Sequence, residues 1–222
     1  MRYTEFMLSS LLADPTSLFA RLFALVIGLT LHEFMHAYVG HQLGDSTAQS
    51  QGRLSLNPMS HIDPFSTLIL PLGLILMGSP IIFAAAKPVP FNPWALRGGR
   101  WGAAMVAVAG PLTNLVIAIV AAVWLQIIPF TDVSATILGA LITTNVALFV
   151  FNLIPFPPLD GSRVLYAVVP PQARETMDRI EQGGLASIGL FVLLIYITPL
   201  GTVLNSAIIA VIRILVPSVS PY

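Results

Sequence analysis

Leu31-His32-Glu33-Phe34-Met35-His36 lies inside an apolar run, Leu18 to Val39, long enough to cross a membrane as a helix. Residues four apart on a helix share a face, so the two imidazoles can reach one divalent metal ion. The glutamate beside the first histidine then stands near the metal's open position, where it can take a proton from a water. This pattern arises by chance in soluble proteins. Within lipid it carries more weight, because ionisable side chains there are costly and mark function. The competing reading is a membrane helix whose histidines hydrogen-bond to their neighbours.

The composition places the motif in a membrane. Of 222 residues, 56% are hydrophobic and 9% charged, against roughly 25% charged in soluble domains, and the mean hydropathy is +0.86. Ten basic and ten acidic residues cancel, so nothing points to nucleic acid. Without cysteine, a metal must be held by His, Asp or Glu. No cleavable signal peptide, internal repeat or soluble module is expected.

The expected fold is all-α: a polytopic membrane-embedded helical bundle forming a single domain over residues 1–222. Residues 1–15 read as a short amphipathic lead-in. Helix A runs over 16–42 and stops at Gly44-Asp45. The polar loop 45–63 follows, with a short edge strand expected at 53–56. Segment B, 64–86, is apolar but interrupted by Pro71, Gly73, Gly78 and Pro80. Loop 87–100 is proline-rich and basic, with a second edge strand expected at 88–90. Helix C spans 101–128 with Gly110-Pro111 in its middle, and helix D spans 134–151. Residues 152–161 are expected to be unwound, because Pro155, Pro157 and Pro158 cannot share a continuous helix. Helix E covers 184–197, and segment F, 202–216, crosses or lies near the interface.

A catalytic zinc usually takes three protein ligands and a water. The glutamates other than Glu33 are Glu5, Glu175 and Glu181, and none falls where a third glutamate ligand would follow the motif helix. His41 comes five residues after His36, which rotates it off the ligand face. Asp160 remains the best choice. Its apolar segment is forced out of helix, and such backbone at membrane depth is tolerated only when buried or lining a wet cavity. Two readings compete: Asp160 merely capping the helix that begins at Gly161-Ser162, and Asp63 as the ligand.

Taken together, His32-Glu33-x-x-His36, Gly110-Pro111-Leu112-x-Asn114 and Asn152-x-x-Pro155-x-x-Pro158-Leu159-Asp160-Gly161 resemble the site-2 protease family of intramembrane metalloproteases. The resemblance implies one Zn²⁺ per chain, with His32, His36 and Asp160 as ligands and Glu33 as general base. Asn152 stands where the family keeps an asparagine beside the catalytic centre. The chain looks like a compact prokaryotic member, without a leading helix before the motif helix and without a PDZ domain.

The expected reaction is hydrolysis of a peptide bond within or near a transmembrane helix of another membrane protein, in the lipid bilayer. Asn152 is a candidate for holding the substrate backbone or oxyanion, and Asn114 a weaker one. Asn114 and Asn145, polar groups in apolar helices, first suggest interhelical hydrogen bonding. For the ligands to meet, helices A and D must approach one side, which requires segment B to be re-entrant. Basic residues then gather on one face, and the positive-inside bias makes it cytoplasmic, with the active site toward the cytoplasmic leaflet of the cell membrane. Two other classes fit some of the same residues. One is an ion or proton path through His32, Glu33, His36 and Asp160; the other is a non-cleaving membrane scaffold.

Overall fold

Asp14 starts the first helix: its carboxylate accepts the N–H groups of Thr16 and Ser17, both at 3.1 Å, and Pro15 occupies the first turn. The computed structural model describes residues 14–61, 89–127 and 131–217, and segment B at 64–86 lies outside them. Among the described residues the order is α1 (Pro15–Gln42), α2 (Thr47–Ser50), a 3₁₀ turn (Pro58–Ser60), α3 (Arg100–Ile127), α4 (Asp132–Asn152), α5 (Asp160–Val168), α6 (Pro171–Gln182), α7 (Leu185–Ile197) and α8 (Leu200–Leu215). The all-α expectation is met. α4 begins two residues before the expected start because Thr131 and Ser134 cap each other, each side chain accepting the other's backbone N–H.

Three helices, α1, α3 and α4, are long and apolar enough to cross a membrane, and the pair α6–α7, bent by 101°, is a candidate for a further broken span. The chain is an integral membrane protein. α1, α3 and α4 pack against one another, and small residues let their backbones approach. Ala20 and Ala24 of α1 meet Ala140 of α4, while Ala118, Ala121 and Ala122 of α3 meet Ile142 and Val146 of α4. α8 adds Ile208, Val211 and Ile212 to that second cluster. The outer faces of α1 and α3 expose Phe19, Leu22, Val116 and Trp124, as lipid-facing surfaces do.

The edge strand expected at 53–56 is corrected by the structure, since no strand occurs among the described residues; of the stretch expected at 88–90, Pro88 lies outside them and residues 89 and 90 form no strand. The reason lies in where the backbone groups go. Ser55's carbonyl accepts His61 Nε2 at 2.8 Å, and the backbone N–H of Arg53 donates to the carbonyl of Ala48 at 2.8 Å. In the second stretch, Val89 N–H donates to Glu33 Oε2 at 3.2 Å, and just beyond it Asn92 N–H donates to Asp45 Oδ2 at 2.6 Å. Side chains and a local turn have taken the groups that a ladder needs.

Asp45 thereby ties loop 89–99 to the end of α1. Burial alone would raise its carboxyl, yet the Thr47 hydroxyl and the N–H groups of Asn92 and Thr47 hold it below the usual carboxylate range. Arg97 completes the clasp, donating to the carbonyls of Gln42 and Leu43 at the end of α1.

Candidate metal centre

His32 and His36 lie on the buried face of α1, opposite α3. Each ring is oriented by an oxygen of α3. His36 Nδ1 is 2.7 Å from the carbonyl of Val106; a carbonyl only accepts, so this nitrogen carries the proton. His32 Nδ1 is 2.6 Å from Asn114 Oδ1. Asn114 Nδ2 donates to Gly28 O at 3.1 Å and to Asn145 Oδ1 at 2.9 Å, which fixes the amide's orientation and makes His32 Nδ1 the donor. In the neutral rings both Nε2 atoms therefore present lone pairs, as metal-binding histidines do.

Asp160 reaches the same point from another element. α4 ends at Asn152, and residues 153–159 turn back on themselves through the prolines before α5 begins at Asp160. Gly161 makes the turn feasible: a Cβ there would overlap the carbonyl of Leu153 and lie 2.6 Å from that of Ile154, so only glycine fits. The unwound stretch is thus shorter than expected, and Asp160 opens the helix.

The Nε2 atoms of His32 and His36 are 2.9 Å apart, and Asp160 Oδ2 is 3.1 Å from the first and 3.3 Å from the second. Asp160 Oδ2 is buried without a hydrogen-bond donor. With both rings neutral, three electron-pair donors converge here, which is repulsive unless a cation joins them. A tetrahedral zinc with bonds of about 2.0–2.1 Å spaces its ligands by about 3.3 Å. The donor set fits a metal, and this is the one such group among the described residues.

Gly110 closes the cradle from α3. A Cβ at Gly110 would overlap His36 Nε2 and stand 2.7 Å from both Cε1 and Nε2 of His32. Sequence reasoning placed Gly110-Pro111 in the middle of helix C and in the motif that carries the family resemblance, but gave Gly110 no role at the metal; a glycine facing two ligands is what the packing adds. Val106 offers no signal at all, since any residue has a carbonyl.

Glu33 is buried, and its Oε2 is held by Val89 N–H. Asn114 is fully buried and its amide is spent on protein partners. Asn152 donates from Nδ2 to Leu148 O at 3.0 Å within its own helix, and the following Leu153 packs against Gly161. His61, the loop histidine, is bound to Ser55 and takes no part in the cluster. Asp63, the other candidate ligand, lies outside the described residues.

Known proteins agree with this architecture. The family model of peptidase family M50 matches residues 128–196, from α4 through the Asp160 turn to α7. The chain is 36% identical over 187 residues to "Putative zinc metalloprotease YwhC" of Bacillus subtilis, covering 80% of each chain. It is 30% identical over 176 residues to "Putative zinc metalloprotease Rip2" of Mycobacterium tuberculosis, covering 78% of this chain and 65% of the relative. A shorter stretch of 69 residues is 42% identical to "Putative zinc metalloprotease sll0528" of Synechocystis, 31% of this chain and 18% of that one. No solved structure matches. The site and the fold define a membrane-embedded metallopeptidase. The chain belongs to peptidase family M50, the site-2 protease family.

Proposed function

We propose that the chain hydrolyses a peptide bond within or near a transmembrane helix of another membrane protein, using one zinc ion held by His32, His36 and Asp160. The observation that carries this reading is the convergence of His32 Nε2, His36 Nε2 and Asp160 Oδ2 within 3.3 Å of one another, the last buried without a hydrogen-bond partner. Zinc in that cradle supplies the Lewis acidity that polarises a peptide carbonyl and acidifies a water.

The remaining work belongs to the chain's own groups. Glu33 accepts the proton of the attacking water as its oxygen adds to the carbonyl carbon, then delivers that proton to the leaving amine nitrogen. Val89 N–H keeps the carboxylate from rotating away. Asn152 has a second amide N–H beyond the one given to Leu148, and it is the proposed donor to the substrate carbonyl. Asn114 acts at one remove, holding His32 in the tautomer whose Nε2 is free. Arg53, Arg97, Arg100, Arg163 and Arg174 all lie outside the three long spans except Arg100, which opens α3. By the positive-inside bias this end, with the metal centre near it, faces the cytoplasm of the cell membrane.

The test is purified protein in lipid with a single-helix membrane protein as substrate. One zinc per chain is expected by metal analysis, cleavage should vanish on chelation, and zinc should restore it. Metal-free protein as isolated would instead favour the ion path through the same side chains. Asn114→Ala should weaken zinc affinity by about 10- to 100-fold, read by competition with a chromophoric chelator. An unchanged affinity would remove Asn114 from the metal centre's support.

A further inference from the structure

A cavity of about 490 Å³ lies between loop 89–99, the start of α3, α5 and α6. Its charge is lopsided. Arg100, Arg163 and Arg174 line it against a single carboxylate, Asp178, which itself accepts from the Tyr166 hydroxyl at 3.4 Å. The guanidinium of Arg163 lies 5.6 Å from the ring centre of Phe91, and that of Arg174 lies 5.5 Å from the ring centre of Tyr166. Stacking of this kind holds the planar groups with their edges available for an anion. Arg163 is also paired with Glu181. Arg174 Nε, in contrast, is buried with no hydrogen-bond partner, a donor that native proteins rarely leave idle.

The cavity shares two walls with the candidate catalytic groups. Phe91 follows by two residues Val89, whose N–H holds Glu33, a separation of at most about 7 Å along the chain. Arg163 stands three residues after Asp160 on α5, about one helical turn away. A peptide lying across Glu33 and Asp160 therefore reaches this cavity within a few residues of the bond to be cut.

We propose that the Arg100–Arg163–Arg174 cavity is a substrate subsite that takes an acidic side chain of the substrate close to the scissile bond. This rests on the protease reading and adds a substrate class to it: transmembrane segments with a flanking Asp or Glu. A guanidinium fork matches a carboxylate in charge and shape, and exposed Trp94, at 95%, forms the outer lip. An anionic lipid headgroup would find the same donors, but the walls shared with Glu33 and Asp160 favour the peptide.

The experiment uses single-helix substrates identical except for a flanking window of Glu, Gln or Lys. The wild type is expected to cut the Glu form with kcat/KM about tenfold above the Lys form. Arg174→Glu should reverse that order and Arg174→Lys should keep it, with Arg100→Glu as the second charge reversal should the first fail to fold. A flat ranking, or one unmoved by both reversals, overturns the subsite and leaves the protease standing. If none of the substrates is cut, the protease reading fails, and the pocket is judged by Trp94 fluorescence of Glu33→Gln protein titrated with the same Glu and Lys chains. A saturable shift with Glu alone upholds the subsite, and no shift overturns it. Saturation by phosphatidylglycerol vesicles but not by phosphatidylcholine vesicles or Glu substrates also overturns it, making the cavity a lipid site.

Discussion

Gly110→Ala is expected to lower metal affinity by more than about 100-fold while leaving the helices formed. The added methyl would occupy the space of His36 Nε2 and crowd the ring of His32. Both rings must turn away from Asp160 to make room, so two of three ligands are displaced by one carbon. Losing an outer-shell partner alone costs 10- to 100-fold, and a change that moves the ligands themselves should cost more. Alanine is the better helix former by about 1 kcal/mol, so helicity gives no reason for the protein to unfold. Gly139→Ala in α4 is the control, since its Cβ meets nothing within 4 Å. Zinc content and circular dichroism on both variants decide the matter. Full zinc occupancy in Gly110→Ala would mean that α3 does not press on the site.

Glu33→Gln should reduce kcat/KM by about 10²- to 10⁴-fold with zinc content unchanged, the range for losing a positioned general base. The glutamine is nearly isosteric, and its amide oxygen can still accept from Val89 N–H, so the pocket keeps its shape. What goes is the ability to take a proton and return it. Loss of zinc in this variant would show that Glu33 supports the metal instead, and retained cleavage would show that another group is the base.

The contrast between these two variants reflects how differently their residues could be read. Glu33 and its flanking histidines were legible because helix periodicity converts a spacing of four into one face, and because ionisable groups in an apolar run have few other reasons to exist. Asp160 was legible for a related reason: consecutive prolines forbid helix, and unwound backbone at membrane depth needs a purpose. The three long helices followed from apolar length, with bounds shifted by at most two residues, the largest shift at the Thr131–Ser134 cap.

The edge strands were misread because alternation in Arg53-Leu54-Ser55-Leu56 says nothing about what the backbone will bond. In the fold, His61 claimed the carbonyl of Ser55, Ala48 the N–H of Arg53 and Glu33 the N–H of Val89. Gly110 and Val106 were invisible as site residues for the same reason. Their roles are a missing Cβ and a main-chain carbonyl, and neither has meaning until α3 is laid against α1.

By itself, then, the sequence determined which side chains could carry the chemistry and that they lie in a membrane, since both follow from local pattern and composition. Only the tertiary structure decided that His32, His36 and Asp160 meet, which nitrogens face the metal position, and that three arginines gather around one cavity walled in part by α3 and α5. Those facts depend on contacts between residues far apart in the chain, such as His32 with Asn114 and His36 with Asp160, which arise only when the small-residue faces of α1, α3 and α4 pack.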